Sequence, residues 1–234
     1  VTPVRKYDMT ELELKFRYGK NEKFYQTHDE RIPITYDALI FNLEHTMSKK
    51  GFLGSSYDYH RTELGIQKRL WFSAFGFVDV IGKAGKVWNK VPYPLLILPN
   101  ANLTYTIQPE AYTNMNAIEF INDEYISWDV TYYMNGLILN RLPLIKKLKW
   151  REVLCFRGLW GHLTDKNNPM KMGEGLYAFP VGSGVMGRAP YMEASVGIEN
   201  IFKFMRLDYV WRLNYRDHPG IQKRGIRCTM SLSF

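Results

Sequence analysis

Apolar and polar residues alternate one by one along much of this chain. The clearest early stretch is residues 11–18, where the even positions are apolar and the charged residues between them include Glu13, Lys15 and Arg17. Successive side chains of a β-strand point to opposite faces of a sheet, so this alternation predicts a strand with one apolar and one charged face. The pattern recurs with interruptions in residues 38–44, 63–70, 126–135 and 150–162, whereas residues 71–88 are apolar, glycine-rich and ambiguous.

The last three segments alternate most regularly: residues 192–199, 205–214 and 226–234. Each approaches the ~9–11 residues that a tilted transmembrane strand requires. A strand that crosses a membrane must turn its charged row away from lipid, because Arg or Lys facing lipid costs ~2–4 kcal/mol at the midplane. We therefore expect six charged residues to face the lumen of a barrel, in charge networks or along an aqueous channel: Glu13, Lys15, Arg17, Arg206, Asp208 and Arg212.

The pattern predicts about nine antiparallel strands, with connections that alternate in length. Residues 164–190 and 216–223 form long connections, expected outside the cell, and residues 142–148 and 200–203 form short ones, expected in the periplasm. The first strand then runs inward. Because barrels normally have an even number of strands with both ends in the periplasm, we expect residues 1–234 to be one C-terminal barrel region that lacks N-terminal strands and any periplasmic domain.

Composition agrees with this interpretation. Aromatic residues make up 15% of the chain, and several stand near segment ends, as in the aromatic girdles of membrane barrels: Tyr18, Trp71, Trp88, Trp150 and Tyr215. The net charge is +8, but no basic stretch resembles a nucleic-acid-binding motif, so nucleic acid is not expected as a partner. The densest basic stretch, around Lys146 and Lys147, lies between two apolar segments and is interpreted as a turn.

No pattern of catalytic or ligating residues stands out. Residues 182–187 match GxGxxG, but an alternating strand follows where a dinucleotide site needs a helix, so a loop is expected. The histidines are scattered, and residues 28–30 are interpreted as a solvated turn. Cys155 and Cys228 lie in separate strand-like segments and are interpreted as small packed side chains. The sequence thus predicts no enzyme activity, no cofactor and no metal.

A soluble β-sandwich or lipocalin-like barrel would also alternate, and this alternative stays open. The length of the segments disfavours it, since sandwich strands run to about 5–6 residues.

The ending, residues 226–234, resembles the C-terminal strand through which outer-membrane barrels are recognised for insertion, with Phe234 as the terminal aromatic residue. Further stretches resemble a bacteroidete outer-membrane family of unassigned function that carries an N-terminal carboxypeptidase-regulatory-like domain: residues 91–96, 115–120, 140–152, 165–169 and 193–201. The resemblance implies a C-terminal outer-membrane barrel, with outer-membrane lipid and the barrel-insertion machinery as partners.

That family is in turn similar to the surface-antigen superfamily, whose members insert or secrete other proteins. Residues 206–209 are similar to its penultimate strand, and residues 156–159, with Arg157 and Gly158, resemble its Val-Arg-Gly-aromatic loop motif. The match departs from the pattern because Leu159 replaces the aromatic residue and about three strands follow where more are expected. Arg157 is therefore expected either in the lumen or in a loop.

These observations predict an outer-membrane protein that takes part in surface-protein assembly or in transport, with other surface or outer-membrane proteins as possible partners. A passive pore or uptake channel is the alternative. An enzyme with its site at the outer rim is a third possibility, which no catalytic constellation supports.

Overall fold

A computed structural model describes residues 7–101, 110–172, 176–218 and 220–230. The strands are β1 (Leu12–Lys20), β2 (Phe24–Gln26), β3 (Arg31–Pro33), β4 (Leu39–Ser48), β5 (Tyr59–Trp71), β6 (Phe77–Val87), β7 (Glu124–Tyr133), β8 (Arg151–His162), β9 (Tyr191–Ile201), β10 (Met205–Arg212) and β11 (Arg224–Met230). The described parts of the connections contain six short 3-10 helices: Phe52–Gly54, Ser73–Phe75, Tyr93–Leu95, Leu139–Arg141, Ile145–Leu148 and Asp165–Asn167. No helix among the described residues is long and apolar enough to cross a membrane.

Nine of the strands form one antiparallel sheet in the order β1-β4-β5-β6-β7-β8-β9-β10-β11. The predicted all-β, antiparallel fold is therefore confirmed, and so is the number of strands in the sheet. The ambiguous residues 71–88 contain a turn at residues 72–76, where Gly76 has a φ of 93°, followed by β6. Within the described residues, β1 and β11 are the two edges, and no ladder joins them.

The sequence pattern missed a second, two-stranded sheet, in which β2 pairs with β3. Each strand has only three residues, too few for alternation to be recognised. Residues 28–30 form the turn of this hairpin, which the backbone N–H of Thr27 closes on the carbonyl of Glu30 at 2.9 Å. The predicted solvated turn is confirmed here.

One face of the large sheet is apolar and exposed. Its exposed members are Leu12, Leu14, Phe16, Tyr18, Phe41, Leu43, Leu64, Ile66, Leu70, Ile126, Leu154, Phe156, Val196, Leu207, Tyr209, Ile226 and Met230. The register aligns these side chains across the strands; Leu64, for example, lies opposite Leu43 of β4. Lys68 interrupts this row near the end of β5, where its Nζ donates to the carbonyl of Asp37 at 2.5 Å.

Because neighbouring strands are antiparallel, the connections divide between two ends of the sheet. The described residues of the connections 49–58, 88–123, 163–190 and 213–223 lie at one end, called here the cap end. Residues 21–38, 72–76, 134–150 and 202–204 lie at the other, called the turn end.

The two clusters of buried apolar side chains lie at the cap end rather than in the middle of the sheet. One cluster contains Val91, Leu96, Ile97, Ile121 and Leu163, with Tyr59 and Val87 from the neighbouring strand ends. A second contains Tyr112, Met115, Phe120, Leu159, Met186 and Tyr191. The described parts of residues 88–123, called here the cover, supply four of the seven members of the first cluster and three of the six members of the second. The molecule therefore packs its core between the cover and the polar face of the sheet.

Aromatic side chains stand at several strand ends, but one of them does not belong to a surface girdle. Trp71 ends β5, and Trp88 and Trp150 adjoin β6 and β8. Tyr215 instead faces the cover: its ring lies 5.0 Å from that of Phe120, and its hydroxyl donates to the carbonyl of Ala189 at 2.6 Å. The girdle position predicted for Tyr215 is wrong, because its ring packs against Phe120 of the cover.

Candidate functional site

A row of alternating charges crosses four strands on the polar face. Asp129 of β7 lies opposite Arg157 of β8, Arg157 lies opposite Glu193 of β9, and Glu193 lies opposite Arg212 of β10. We call these four residues the charge row. Opposite charges on facing positions of neighbouring strands attract one another, so the row favours this register of the sheet.

The cover lies along the charge row. It offers a backbone hydrogen-bond acceptor to Arg157 and backbone hydrogen-bond donors to Glu193. Arg157 Nη1 donates to the carbonyl of Ala111 at 3.2 Å. Glu193 accepts hydrogen bonds from the backbone N–H groups of Thr113, at 3.0 Å, and Asn114, at 2.7 Å. The row thus fixes both the register of the strands and the position of the cover.

Arg212 makes the most extensive of these contacts. It is fully buried, and its guanidinium binds the carboxylate of Glu119 through two nitrogens, at 2.9 and 2.5 Å. The remaining N–H groups donate to the carbonyls of Asn114, Asn214 and Tyr215, at 3.0, 3.1 and 2.7 Å. All five donors of the arginine are therefore satisfied, which a buried guanidinium requires.

Glu119 is the anionic centre of this contact. Burial alone would raise the pKa of its carboxyl group, but hydrogen bonds from Arg212 and from the Asn116 backbone outweigh burial, and the pKa is lowered. His218 also contributes, with Nδ1 2.8 Å from Oε1 of Glu119. The centroid of the Tyr191 ring lies 4.8 Å from Cζ of Arg212, so the ring packs against the guanidinium.

Arg157 and Gly158 lie inside β8, so the loop position implied by the resemblance to the surface-antigen motif is wrong. Arg157 lies on the polar face, opposite Asp129, which is the face of the other expected position, the lumen. The chain continues as regular strand there because both residues pair with β7 and β9. Nε of Arg157 is 2.6 Å from Oδ2 of Asp129, an ion pair that lacks the angle of a hydrogen bond. At Gly158, a Cβ would lie 2.0 Å from the Trp128 ring, so a larger residue does not fit.

The remaining charged residues predicted from the sequence fall into two places at opposite edges of the sheet. Near β11, buried Asp208 pairs with Arg206 at 2.7 Å and with Arg227 at 3.3 Å. At the β1 edge, three exposed residues have local partners: Lys15 lies 3.0 Å from Glu13 and 3.5 Å from Glu44, and Arg17 binds Glu22 at 2.6 Å. Phe234 lies outside the described residues.

Several residues that hold the cover were missed by the sequence pattern. Asp123 is buried and accepts hydrogen bonds from the side chain of Asn167, at 2.8 Å, and from the backbone and hydroxyl of Thr164. Glu119 and Asn114 likewise lie outside any periodic segment. The only signal was the density of Asn, Asp and Glu between residues 114 and 123, in a stretch that otherwise lacks periodicity.

A cavity of about 460 Å³ remains between the polar face and the cover. Its charged wall groups are largely paired with one another: Arg61 with Glu63 at 2.7 Å, and Lys83 with Glu110 at 2.5 Å. Among the residues that the structure describes, no group of three His, Cys, Asp or Glu could hold a metal ion. The charged side chains around the cavity form ion pairs, and such pairs hold the cover in place.

Comparison with solved structures gives the fold. The structure of BamA from Haemophilus ducreyi lacking POTRA domains 1–3 is similar, with a TM-score of 0.53 and 9% sequence identity over 93% of this chain. The match spans 42% of that protein's chain. At this identity the likeness concerns the fold alone. Comparison with curated proteins found no match.

A family model covers most of the chain. The C-terminal domain of a family of unknown function, DUF5686, matches residues 1–169. The match includes the first five strands of the large sheet, the cover and β8. The chain therefore belongs to the DUF5686 family, as part of its C-terminal domain.

Proposed function

We propose that this chain forms part of an outer-membrane β-barrel that takes part in the assembly of surface proteins or in their transport across the outer membrane. The observation that carries the proposal is the inverted distribution of side chains. Exposed apolar side chains lie on eight of the nine strands, while charged Asp208 and Arg212 are buried on the opposite face.

This distribution suits a sheet whose outer solvent is lipid. Soluble monomers rarely expose contiguous apolar patches larger than a few hundred Å², and here the patch extends over strands from β1 to β11. In lipid, open backbone groups find no partner, so only a closed barrel would satisfy both edges. Strands in the rest of the full-length protein would close the barrel between β1 and β11.

Assembly or transport of proteins is favoured over a passive pore because the cover occupies the polar face. Two fully buried contacts hold it there, Glu119 with Arg212 and Glu193 with the backbone of Asn114. The resemblance to the surface-antigen superfamily points in the same direction. We propose a non-enzymatic role, with lipid and the barrel-insertion machinery as partners.

The first experiment compares the electrophoretic mobility of the full-length protein, extracted from outer membranes, in SDS with and without boiling. We expect a heat-dependent shift, because closed barrels resist SDS until they are heated. A protein found in the soluble fraction and showing no shift would refute the membrane proposal.

The second experiment separates assembly from passive conductance. Deletion of the gene should deplete other proteins from the cell surface, and the purified barrel should conduct little in planar bilayers while the cover is closed. High steady conductance of the wild-type barrel, with an unchanged set of surface proteins after deletion, would favour a passive pore instead. Glu119→Gln, which weakens the hold on the cover, serves as the variant expected to conduct more.

A further inference from the structure

The connection between β7 and β8, residues 134–150, carries four positive charges and no Asp or Glu. Its cationic residues are Arg141, Lys146, Lys147 and Lys149, and the neighbouring turn between β9 and β10 adds Lys203. All five are exposed, and none forms an ion pair within the part of the chain that the structure describes. Residues 134–150 and 202–204 therefore carry a local surplus of positive charge.

Large apolar side chains stand among these cations. Leu144 is 83% exposed and Phe202 is 76% exposed. Ile138, Leu142, Leu148 and Phe204 are exposed as well. Together with the five cations they form what we call the basic patch. An exposed surface that mixes leucine, phenylalanine and lysine in this way is typical of segments that lie in a membrane interface.

The basic patch has a fixed shape. The carboxylate of Glu152 accepts hydrogen bonds from the backbone N–H groups of Ile138, at 3.0 Å, and of Leu139. Asn200 Nδ2 donates to the carbonyl of Lys149 at 2.8 Å and ties the two connections together. A surface held by its own hydrogen bonds loses little conformational freedom when it binds a partner.

The position of the patch identifies the partner. β8 begins at Arg151, directly after the patch, and its exposed residues Leu154 and Phe156 belong to the apolar face of the sheet. The patch is therefore continuous with the surface that the proposed function places in lipid. At that boundary a membrane offers acyl chains to the leucines and phosphate groups to the lysines, whose apolar stems allow the ammonium to reach outward.

We propose that the basic patch binds the phosphate headgroups of anionic phospholipid and so fixes the depth of the barrel at the turn end. This inference rests on the proposed membrane location. It adds a ligand class, anionic phospholipid, and the residues that select it.

The test measures lipid selectivity of the folded full-length protein in phosphatidylcholine vesicles. Spin-labelled phosphatidylglycerol and spin-labelled phosphatidylcholine are added separately in trace amounts, and the ratio of their association constants is determined. One lysine near an anionic surface strengthens association about five-fold, so we expect a wild-type ratio of about five or more. High salt should lower the ratio, because it screens exposed charges.

The variant K146Q/K147Q/K149Q/K203Q keeps only Arg141 of the five cations and should lower this ratio several-fold. The matched control K49Q/K50Q/K171Q/K223Q removes four exposed lysines at the cap end, where Lys49 and Lys171 already pair with Asp58 and Asp165. The control should keep the wild-type ratio. A wild-type ratio near one, or equal ratios for wild type and the patch variant, would overturn the inference.

Failure of the underlying proposal is distinguishable from failure of this inference. A protein that does not insert shows no heat-dependent mobility shift, which rejects both. A protein that inserts but does not select phosphatidylglycerol rejects only the lipid site. Should the fourfold variant not fold, the salt titration of the wild type still decides, since a salt-independent ratio excludes binding through exposed lysines.

Discussion

Replacing Leu64 by arginine tests which solvent the apolar face meets. Leu64 lies in the middle of β5 and is 56% exposed, and its in-register neighbours Leu43 and Ala84 offer no counter-charge. In lipid, an arginine near the midplane destabilises a barrel by ~2–4 kcal/mol. In water, a substitution at an exposed site away from special features changes stability by about 0.5 kcal/mol or less.

The two solvents therefore predict folding equilibria that differ by a large factor. A loss of 2–4 kcal/mol corresponds to about a 30-fold to 700-fold shift toward the unfolded state, since each 1.4 kcal/mol is tenfold. The assay is urea unfolding of the full-length protein in vesicles, followed by tryptophan fluorescence and by the heat-dependent mobility shift. Leu53→Arg is the control, because Leu53 is 73% exposed in a connection at the cap end and should tolerate the charge.

Depth supplies a second comparison, which remains useful if Leu64→Arg prevents folding altogether. Leu70 is exposed on the same face but next to the last residue of β5. The penalty for arginine falls to about 0–1 kcal/mol near the interfaces, so Leu70→Arg should lose less stability than Leu64→Arg. If Leu64→Arg unfolds at the same urea concentration as Leu53→Arg, the apolar face meets water and the membrane argument is refuted.

Three further predictions concern the polar face. Glu119→Gln leaves Arg212 buried without its counter-charge and should cost about 3–5 kcal/mol in urea unfolding, whereas the double variant with Arg212→Met should recover part of this loss; equal losses for both would contradict it. Because the pKa of Glu119 is lowered in the folded state, its contribution to stability should be complete above its ordinary pKa, near ~4.3, and vanish as the pH falls through the lowered value; Glu119→Gln should remove that part of the acid dependence, and an unchanged pH profile of stability would exclude it. Gly158→Ala forces a contact with Trp128 and should cost about 1–3 kcal/mol, whereas Gly65→Ala, where a Cβ would meet Asn42 at an ordinary 3.6 Å, should be much milder in a thermal melt.

The strands could be predicted from the sequence because the alternation of apolar and polar residues is visible within the residues of each strand. Leu12, Leu14 and Phe16 repeat every second position, and that spacing alone implies a shared face of a strand. Even the interruption at Lys68 is compatible with the strand, since its ammonium reaches the carbonyl of Asp37, two residues before β4 begins. In β6, glycines stand among the apolar residues in place of large side chains. The alternation of apolar and polar residues is therefore weak there, and the sequence left the strand ambiguous.

The cover could not be predicted, because its partners are distant in sequence and its own residues follow no period. Glu119 and Arg212 are separated by 93 residues, and Asn114 and Glu193 by 79. The charge row was present in the sequence as single charges within four different strands. Only the register, which places Asp129 beside Arg157 and Glu193 beside Arg212, shows that the charges alternate across the sheet.

The charge row and the cover explain why this sheet can bury charges on its concealed face. A buried arginine is tolerated only when its donors are satisfied and a counter-charge is near. The cover supplies the counter-charge of Arg212, the Glu119 carboxylate, and accepts three of its five hydrogen bonds, through that carboxylate and the carbonyl of Asn114. In return, Glu193 binds the backbone of the cover, which has no strand of its own to satisfy those N–H groups. Removal of the cover would thus deprive Arg212 of its counter-charge and Glu193 of its two backbone donors unless water entered, so opening of the polar face and its hydration must occur together.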